Sequence, residues 1–446
     1  DGVGSDYIKC NMASFMGRVN YGYMGRYLLT LSARYDGSSR LAEGHKWVLF
    51  PSAALAWRIS DEPFMKDLLW LDNLKLRVGY GKTGNSAVSP YQTKGQLALR
   101  HYVFNNGSSE YIGYAPSVMA NDQLTWETTD QWNVGVDFGF LKNRINGTVE
   151  FYLQNTKDLL LKRQLPVVSG FSSVMSNVGS TRNKGVEITL NTRNIMNRNF
   201  TWSTDLTFSA NKEEIVELYN GKTDDVGNLW FIGQPIDVYY NYKKIGIWQN
   251  TENDLAEMAK FNEKGANFKP GSIRLEDVDG DYKITEEDKQ ILGSVRPKFV
   301  ASMVNNFEFK GFDLSVFLYA SVGGLLRNNI EFMEKPGRGN TVKVDYWTPT
   351  NPTNAFPRPS VDVEKLDYIS TLGYDKADFL RIRNITLGYT LPEMWSKKVL
   401  MDKIRIYLSA NNPAIFTNFT GIDPEGANGR TAPSYSTWMF GINLSM

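Results

Sequence analysis

The sequence predicts an all-β chain, a transmembrane antiparallel β-barrel. Three observations predict it: long segments alternating with a period of two, an apolar phase free of charge, and connections of two lengths. In QWNVGVDFGF, Trp132, Val134, Val136, Phe138 and Phe140 share one phase, while Asn133, Gly135, Asp137 and Gly139 share the other. Successive side chains of a strand point to opposite faces, so this is a strand with one apolar face. RYLLTLSARYD repeats the pattern, with Tyr27, Leu29, Leu31, Ala33 and Tyr35 opposing Leu28, Thr30, Ser32, Arg34 and Asp36. It returns in INGTVEFYLQN, GVEITLNT, FTWSTDLTFSA, GFDLSVFLYAS and KIRIYLSANN. FMGRVNYGYM, FPSAALAWRI, LKLRVGYGK, VYYNYKKIG, FVASMVNNFEF, FLRIRNITLGYTL and STWMFGINLSM complete a set of roughly 14 candidate strands.

Length and charge select the barrel among all-β architectures. Many of these segments run for about 10 residues, the span a tilted strand needs to cross a bilayer, against the usual 5 or 6 of soluble sheets. Their clearest apolar phases carry no Lys, Arg, Asp or Glu, and one Arg or Lys facing lipid at the midplane costs about 2–4 kcal/mol. The mid-strand charges Arg34, Asp137, Glu150, Glu187, Asp205, Asp313 and Arg405 all fall on the other phase. Lipid outside and a wet lumen inside account for both faces. A soluble sandwich also buries one face of each strand and is the competing architecture.

Short turns, as in FLKNRINGTV and EFKGFDL, join some strands. Long stretches near 82–127, 211–238, 247–297 and 323–378 join others. Tight turns at one end and long loops at the other are the habit of outer-membrane barrels, which places the long inserts outside the cell. Within one insert, TENDLAEMAKFNEKGA predicts a short helix starting near Thr251 with a thin apolar face.

Composition excludes several functions. The chain has 446 residues, 42% hydrophobic and 22% charged, too long and too apolar for disorder. Lys plus Arg total 49 and Asp plus Glu 48, so a formal charge of +1 gives no field for nucleic acid. Cys10 is the only cysteine and His45 and His101 the only histidines, which leaves no disulfide framework and no Cys/His zinc site. No stretch approaches the 18 or so apolar residues of a spanning helix. The opening DGVGSDYIKC has no initiator Met and no apolar leader, and the chain reads as the C-terminal part of something longer.

One motif points to a ligand. In DVDGDYKITEEDK, Asp277, Asp279 and Asp281 occupy the first, third and fifth positions of an EF-hand-type loop, Lys283 offers its carbonyl at the seventh, and Asp288 falls at the twelfth. Tyr282 stands where glycine makes the sharp turn, and Asp288 is shorter than the usual bidentate Glu. Calcium or magnesium binding and an Asp-rich turn held by its own hydrogen bonds both fit. GYGKTG, Gly79 to Gly84, matches G-x-G-x-x-G, but no helix follows it, so it reads as strand and loop. No Ser/His/Asp set or carboxylate pair stands out, and no enzyme is expected.

Several stretches then resemble one family in order along the chain. They are SFMGRVNYGYMGRYLLTLSARYDGSSRLAEGHKWVLFPSAALAWRISDEPFM, LKLRVGYGKTGN, NVGSTRNKGVEITLN, DVDGDYKIT with LGSVRPKF, YWTPTNPTNAFPRP, ADFLRIRNITLGYTLP and NFTGIDPEG. Together they resemble the barrel of SusC/RagA-type TonB-dependent outer-membrane transporters of Bacteroidetes. The resemblance implies the C-terminal part of a 22-stranded barrel, with plug domain and TonB box outside this chain. It also implies a SusD-like surface lipoprotein as lid, energy from the TonB complex, contact with outer-membrane lipid, and import of oligosaccharides or peptides. The family's Asp-rich loop commonly has glycine where this chain has Tyr282. Such barrels usually end in Phe, and Met446 departs from that on the apolar phase of Trp438, Phe440, Ile442 and Leu444. Tyr152, Phe317, Tyr319 and Tyr407 lie on the lumen phase, where tyrosines stack on sugars or simply line a wet wall. Import rests on the resemblance alone. A passive porin, a secretion barrel and a soluble adhesin remain the alternatives.

Overall fold

The computed structural model describes residues 7–107, 109–328, 344–359, 367–425 and 434–446. They fall into two compact units, residues 1–236 with 305–307, and 237–304 with 308–446.

In the first unit the period-two segments form long strands. In chain order come β1 (Met12–Tyr23), β2 (Tyr27–Ser38), β3 (Trp47–Arg58), β4 (Leu71–Asn85), the hairpin of β5 (Gln96–Phe104) and β6 (Ser109–Val118), then β7 (Glu127–Phe140) and β8 (Ile145–Lys157). A second hairpin, β9 (Leu160–Gln164) with β10 (Ser173–Asn177), precedes β11 (Ser180–Met196) and β12 (Phe200–Glu217). With the two hairpins set apart, β1, β2, β3, β4, β7, β8, β11 and β12 hydrogen-bond in that order as one antiparallel wall.

Register proves the faces. Tyr21 lies opposite Leu29, then Leu55, Val78, Val134, Phe151, Val186 and Ala210 follow across all eight strands without a polar interruption. The neighbouring row is Gly22, Leu28, Ala56, Arg77, Gly135, Glu150, Glu187 and Ser209. A one-residue slip would exchange the two rows, so the apolar pattern holds the register. The apolar face has no protein against it: Phe15 is 67% exposed and Phe151 58%. A sandwich would cover these rings with a second sheet.

The second unit repeats the plan with larger inserts. Two ribbons pair β13 (Val238–Tyr242) with β16 (Lys289–Ser294), and β14 (Lys244–Ile247) with β15 (Ile273–Leu275), around helix α1 (Glu252–Glu263). Then come β17 (Phe299–Phe309), β18 (Phe312–Val322), the short pair β19 (Leu325–Arg327) and β20 (Tyr374–Lys376), β21 (Phe379–Thr390), β22 (Lys403–Thr417) and β23 (Thr437–Ser445). β17, β18, β21, β22 and β23 form the wall of this unit. Its apolar row runs Leu314, Leu387, Leu408, Phe440. In β21 the sequence slips phase at Arg383, and a bulge there absorbs the extra residue. Leu380 and Ile382 before it thereby stay on the same face as Ile385 and Leu387 after it.

Thirteen of the sequence segments are therefore wall strands, and VYYNYKKIG is not: it breaks at Lys243 into β13 and β14, which belong to different ribbons. GYGKTG is strand throughout, within β4. A Cβ on Gly84 would stand 2.2 Å from the ring of Phe50. The glycine makes room for packing. β12 runs on to Glu217, so that insert spans 218–298, and further long connections occupy 158–179 and 418–436. Residues 329–343 and 360–366 of the 323–378 insert lie outside the described residues.

Most buried side chains sit in the inserts. Ile247, Ile273, Leu275, Trp347, Ile369 and Leu372 form one cluster, and Trp248, Met258, Phe261 and Phe268 another. Helix α1 starts where the sequence places it, with the Thr251 hydroxyl accepting from the Asp254 N–H, and its thin face is Met258 and Phe261. Among the described residues no helix is long and apolar enough to cross a membrane, which says nothing of crossing by strands.

Between β3 and β4, Glu62 gathers three donors: the Tyr27 hydroxyl at 2.6 Å, the Trp57 indole at 3.0 Å and the Arg26 guanidinium at 2.7 Å. The bonds from Tyr27 and then Trp57 hold its carboxyl below the ordinary glutamate range against the opposing effect of desolvation. A carboxyl with a depressed folded pKa stabilises fully above its ordinary pKa and loses that contribution as pH falls through the lowered value. Glu62→Gln is expected to lower the thermal midpoint of the purified barrel at neutral pH, with the gap to the parent closing below that value. An equal gap at both pH values counts against the lock.

Candidate functional site

The polar face of the wall carries hydrogen-bonded networks in each unit. In the first unit Arg77 grips Asp137 through Nε at 3.1 and 3.2 Å and Nη2 at 2.9 Å, and Thr148 and Lys75 approach the same carboxylate. Gly135, opposite Arg77, has no side chain to displace the guanidinium, which lies 2.9 Å from where a Cβ would stand. Asn133 donates to Glu150, Gln131 to Asn133, and Gln154 to Gln131. In the second unit Arg405 forks onto Asp313 at 2.9 and 2.5 Å. Planar, bidentate pairs of this kind are rigid and keep their charge.

The lumen-phase tyrosines are held against this wall. Tyr152 lies directly opposite Gly185 and Tyr407 opposite Gly441, each ring folded over the space its glycine leaves. Tyr319 packs 5.8 Å from Phe379 and carries the Arg383 guanidinium 4.8 Å above its ring. Phe317 sits opposite Asn384.

Sequence reasoning missed a buried ion pair in the last long connection. Arg381 of β21 donates to Asp423 at 2.6 Å with both side chains 3% exposed, Arg383 pairs with Glu425, and the Ser434 hydroxyl donates to Asp423. The carboxylates belong to the GIDPEG stretch, so its acids pin this connection to the wall. The only sequence signal was the spacing Asp423-x-Glu425 against Arg381-x-Arg383, two pairs of opposite charge. Asp423→Ala leaves Arg381 buried without its partner and is expected to cost about 3–5 kcal/mol. The double change Arg381→Met with Asp423→Leu is expected to recover most of that loss, as read by denaturant unfolding of the detergent-folded barrel.

The Asp-rich loop is held by its own side-chain to backbone hydrogen bonds. Asp277 accepts from the N–H of Gly280 and Tyr282, both at 2.9 Å, Asp279 from Asp281, and Asp281 from Lys283 at 2.7 Å. Tyr282 takes the left-handed φ of +61° that glycine normally supplies, and its ring stands edge-on to Phe261 at 5.5 Å. Packing onto α1 thus offsets the conformational cost of a non-glycine residue there. Among the described residues, carboxylate oxygens of Asp277, Asp279 and Asp281 lie within 4.8 Å of one another. Asp288 is not part of that group. It is fully buried, and its two oxygens accept from the Val278 N–H at 2.8 Å and the Thr285 N–H at 2.7 Å, closing the loop. Lys283 serves through its N–H to Asp281. The Asp281 N–H draws the Asp279 pKa down, but desolvation and the carboxylates of Asp281 and Asp288 push it up, and the balance lies above the ordinary aspartate value.

The second unit also holds a cavity of about 520 Å³ lined by Lys244, Gln290, Phe356, Thr371, Tyr374 and Asp375, among others. The Lys244 ammonium donates to the carbonyls of Asn354 at 2.8 Å and Ala355 at 2.6 Å. Burial pulls its pKa down, with Asp375 acting in the opposite sense.

A one-sided antiparallel wall with an uncovered apolar face, a polar inner face and long ordered inserts defines an outer-membrane β-barrel. The family model described as TonB dependent receptor-like, beta-barrel matches residues 3–413. TonB-dependent receptor P3 of Formosa agariphila is 33% identical over 99% of this chain and 46% of its own length, and TonB-dependent receptor SusC of Bacteroides thetaiotaomicron is 32% identical over 97% and 43%. Among solved structures, the RagAB peptide transporter superposes with a TM-score of 0.80 at 26% identity over 98% of this chain and 48% of that one. The chain belongs to the TonB-dependent receptor β-barrel family, is of the SusC/RagA type, and is an outer-membrane protein. It spans less than half the length of the curated relatives it matches.

Proposed function

We propose that this chain is the barrel part of a transporter that imports an oligosaccharide or peptide nutrient across the outer membrane, driven by TonB and assisted by a SusD-like surface lipoprotein. The observation that carries the reading is its likeness, over nearly all its residues, to SusC and to the RagAB peptide transporter. These relatives are receptors and transporters, and we propose no catalysis. In this reading the long connections face outward and the short turns face the periplasm. The β5–β6 hairpin supports a partner on that side: Leu97, Leu99, Ile112 and Tyr114 share one of its faces and are all exposed. An apolar surface of this kind marks a protein contact, and the lipoprotein is the occupant proposed for it.

Uptake of labelled glycan and peptide pools by cells carrying the full-length gene tests the reading. Uptake is expected to stop when TonB is deleted and to fall when residues 96–118 are replaced by a short turn. Uptake that persists without TonB selects a passive porin, and efflux of a cell product selects a secretion barrel.

For the insert we propose that a divalent cation, calcium or magnesium, joins Asp277, Asp279 and Asp281, relieving the repulsion that raises the Asp279 pKa. Calcium at millimolar concentration is expected to raise the thermal midpoint of the parent protein and not of Asp279→Asn, and to do so less as pH falls and protons compete. No shift in the parent at neutral pH overturns this.

A further inference from the structure

We propose that a second cavity, in the first unit, binds a tetrahedral oxoanion, the phosphate or sulfate group of an ester. It encloses about 300 Å³ and is lined by Lys9, Arg40, Lys46 and Lys94 with a single carboxylate, Glu43. Four cations against one acid leave a formal +3 in one small volume of a chain whose total is +1. On the wall of this unit Arg77 is neutralised by Asp137 and Arg34 by Asp36. Here none of the four makes an ion pair among the described residues. The contact of Arg40 is a 3.6 Å approach of Nη2 to the Cys10 sulfur, which does not neutralise it.

The cavity is built from three chain segments. The approach to β1 is tied to the β2–β3 connection by the Asn11 N–H donating to the Ser39 hydroxyl at 2.8 Å. It is tied to the β4–β5 connection by the Lys9 N–H donating to the Tyr91 hydroxyl at 3.3 Å. Tyr91 takes a left-handed φ of +66°, turning the chain so that the Lys94 N–H returns to the Tyr91 carbonyl at 2.9 Å and Lys94 joins the lining. Underneath, Leu41 is 1% exposed and packs with Phe50, Val88 and Trp126. Four cationic residues line one cavity together with the buried Leu41, and an anion of two charges bound there lowers the repulsion among them. Three ammonium groups act as point charges, and Arg40 adds a planar fork that fits two oxygens of one tetrahedral anion. The ester belongs either to the headgroup of a phosphorylated outer-leaflet glycolipid or to a soluble phosphorylated or sulfated saccharide. This inference is independent of whether the barrel imports a nutrient.

The test uses the full-length transporter in detergent at low ionic strength, titrated calorimetrically with inorganic phosphate and with inorganic sulfate. Binding of at least one ion is expected, weakened about tenfold or more in Arg40→Ala with Lys94→Ala, since a charge-assisted bond is worth about 1.5–3 kcal/mol. Arg40→Lys is expected to retain part of the affinity. The heat-modified mobility of the folded barrel on gels checks that each variant folds. Mass spectrometry of co-purified lipid separates the sources: a phosphorylated glycolipid present with the parent and lost with the double variant assigns the headgroup. Binding of a sulfated disaccharide to delipidated protein, lost with the same variant, assigns the soluble ester. No binding of either ion at millimolar concentration, or equal binding by parent and folded double variant, overturns the proposal.

Discussion

In hydrocarbon a backbone N–H or C=O has no water to turn to, so every strand must find its partners in the strands beside it. That constraint explains the length of the wall strands, 9 residues in β23 and 18 in β12, and the in-order antiparallel meander within each unit. It also explains the apolar row from Tyr21 to Ala210. A soluble sheet gains stability by covering such a face. This one leaves Phe440 at 70% exposure because the covering material is lipid.

Freed from making a core, the other face carries charge, and it does so at positions where glycine clears the ground. Gly135 lies under Arg77, Gly388 under Arg405, Gly185 under Tyr152 and Gly441 under Tyr407. In each case a large side chain lies back across the opposite strand, where any Cβ would collide. The wall therefore keeps its polar groups flat and paired. The bulge at Arg383 does related work: by absorbing one residue it sends a cation inward to Glu425 while Ile385 stays outward. The inserts make up the packing that the wall lacks, and their clusters around Trp248 and Trp347 are small soluble cores.

Much of this was legible because a barrel wall writes its fold locally. Alternation needs no knowledge of the partner strand, and the segments from FMGRVNYGYM to STWMFGINLSM show it without help. What was illegible depends on non-local partners. VYYNYKKIG has the composition of a wall strand, but Tyr240 pairs with Ile291 and Ile247 with Ile273, across stretches no local pattern encodes. The pairing of Arg381 with Asp423 spans a long connection and leaves only a charge spacing behind. The strands of β9–β10, five residues each, alternate too briefly to stand out from loop, and β5–β6, though 9 and 10 residues long, lies inside the stretch near 82–127 that reads as one connection.

The Asp-rich loop shows how a departure from a motif is read correctly only with its neighbours. Tyr282 breaks the glycine rule, yet the residue after Asp281 still adopts the left-handed turn, because Phe261 on one side and the Lys260 ammonium 5.0 Å over the ring on the other hold the tyrosine in place. The turn that glycine adopts freely is here imposed by packing from α1, so helix and loop form one folded piece. Asp288 completes it from the far end, using both oxygens on backbone N–H groups ten and three residues away in sequence. Buried at the twelfth position, it closes the loop at its far end through these two backbone hydrogen bonds.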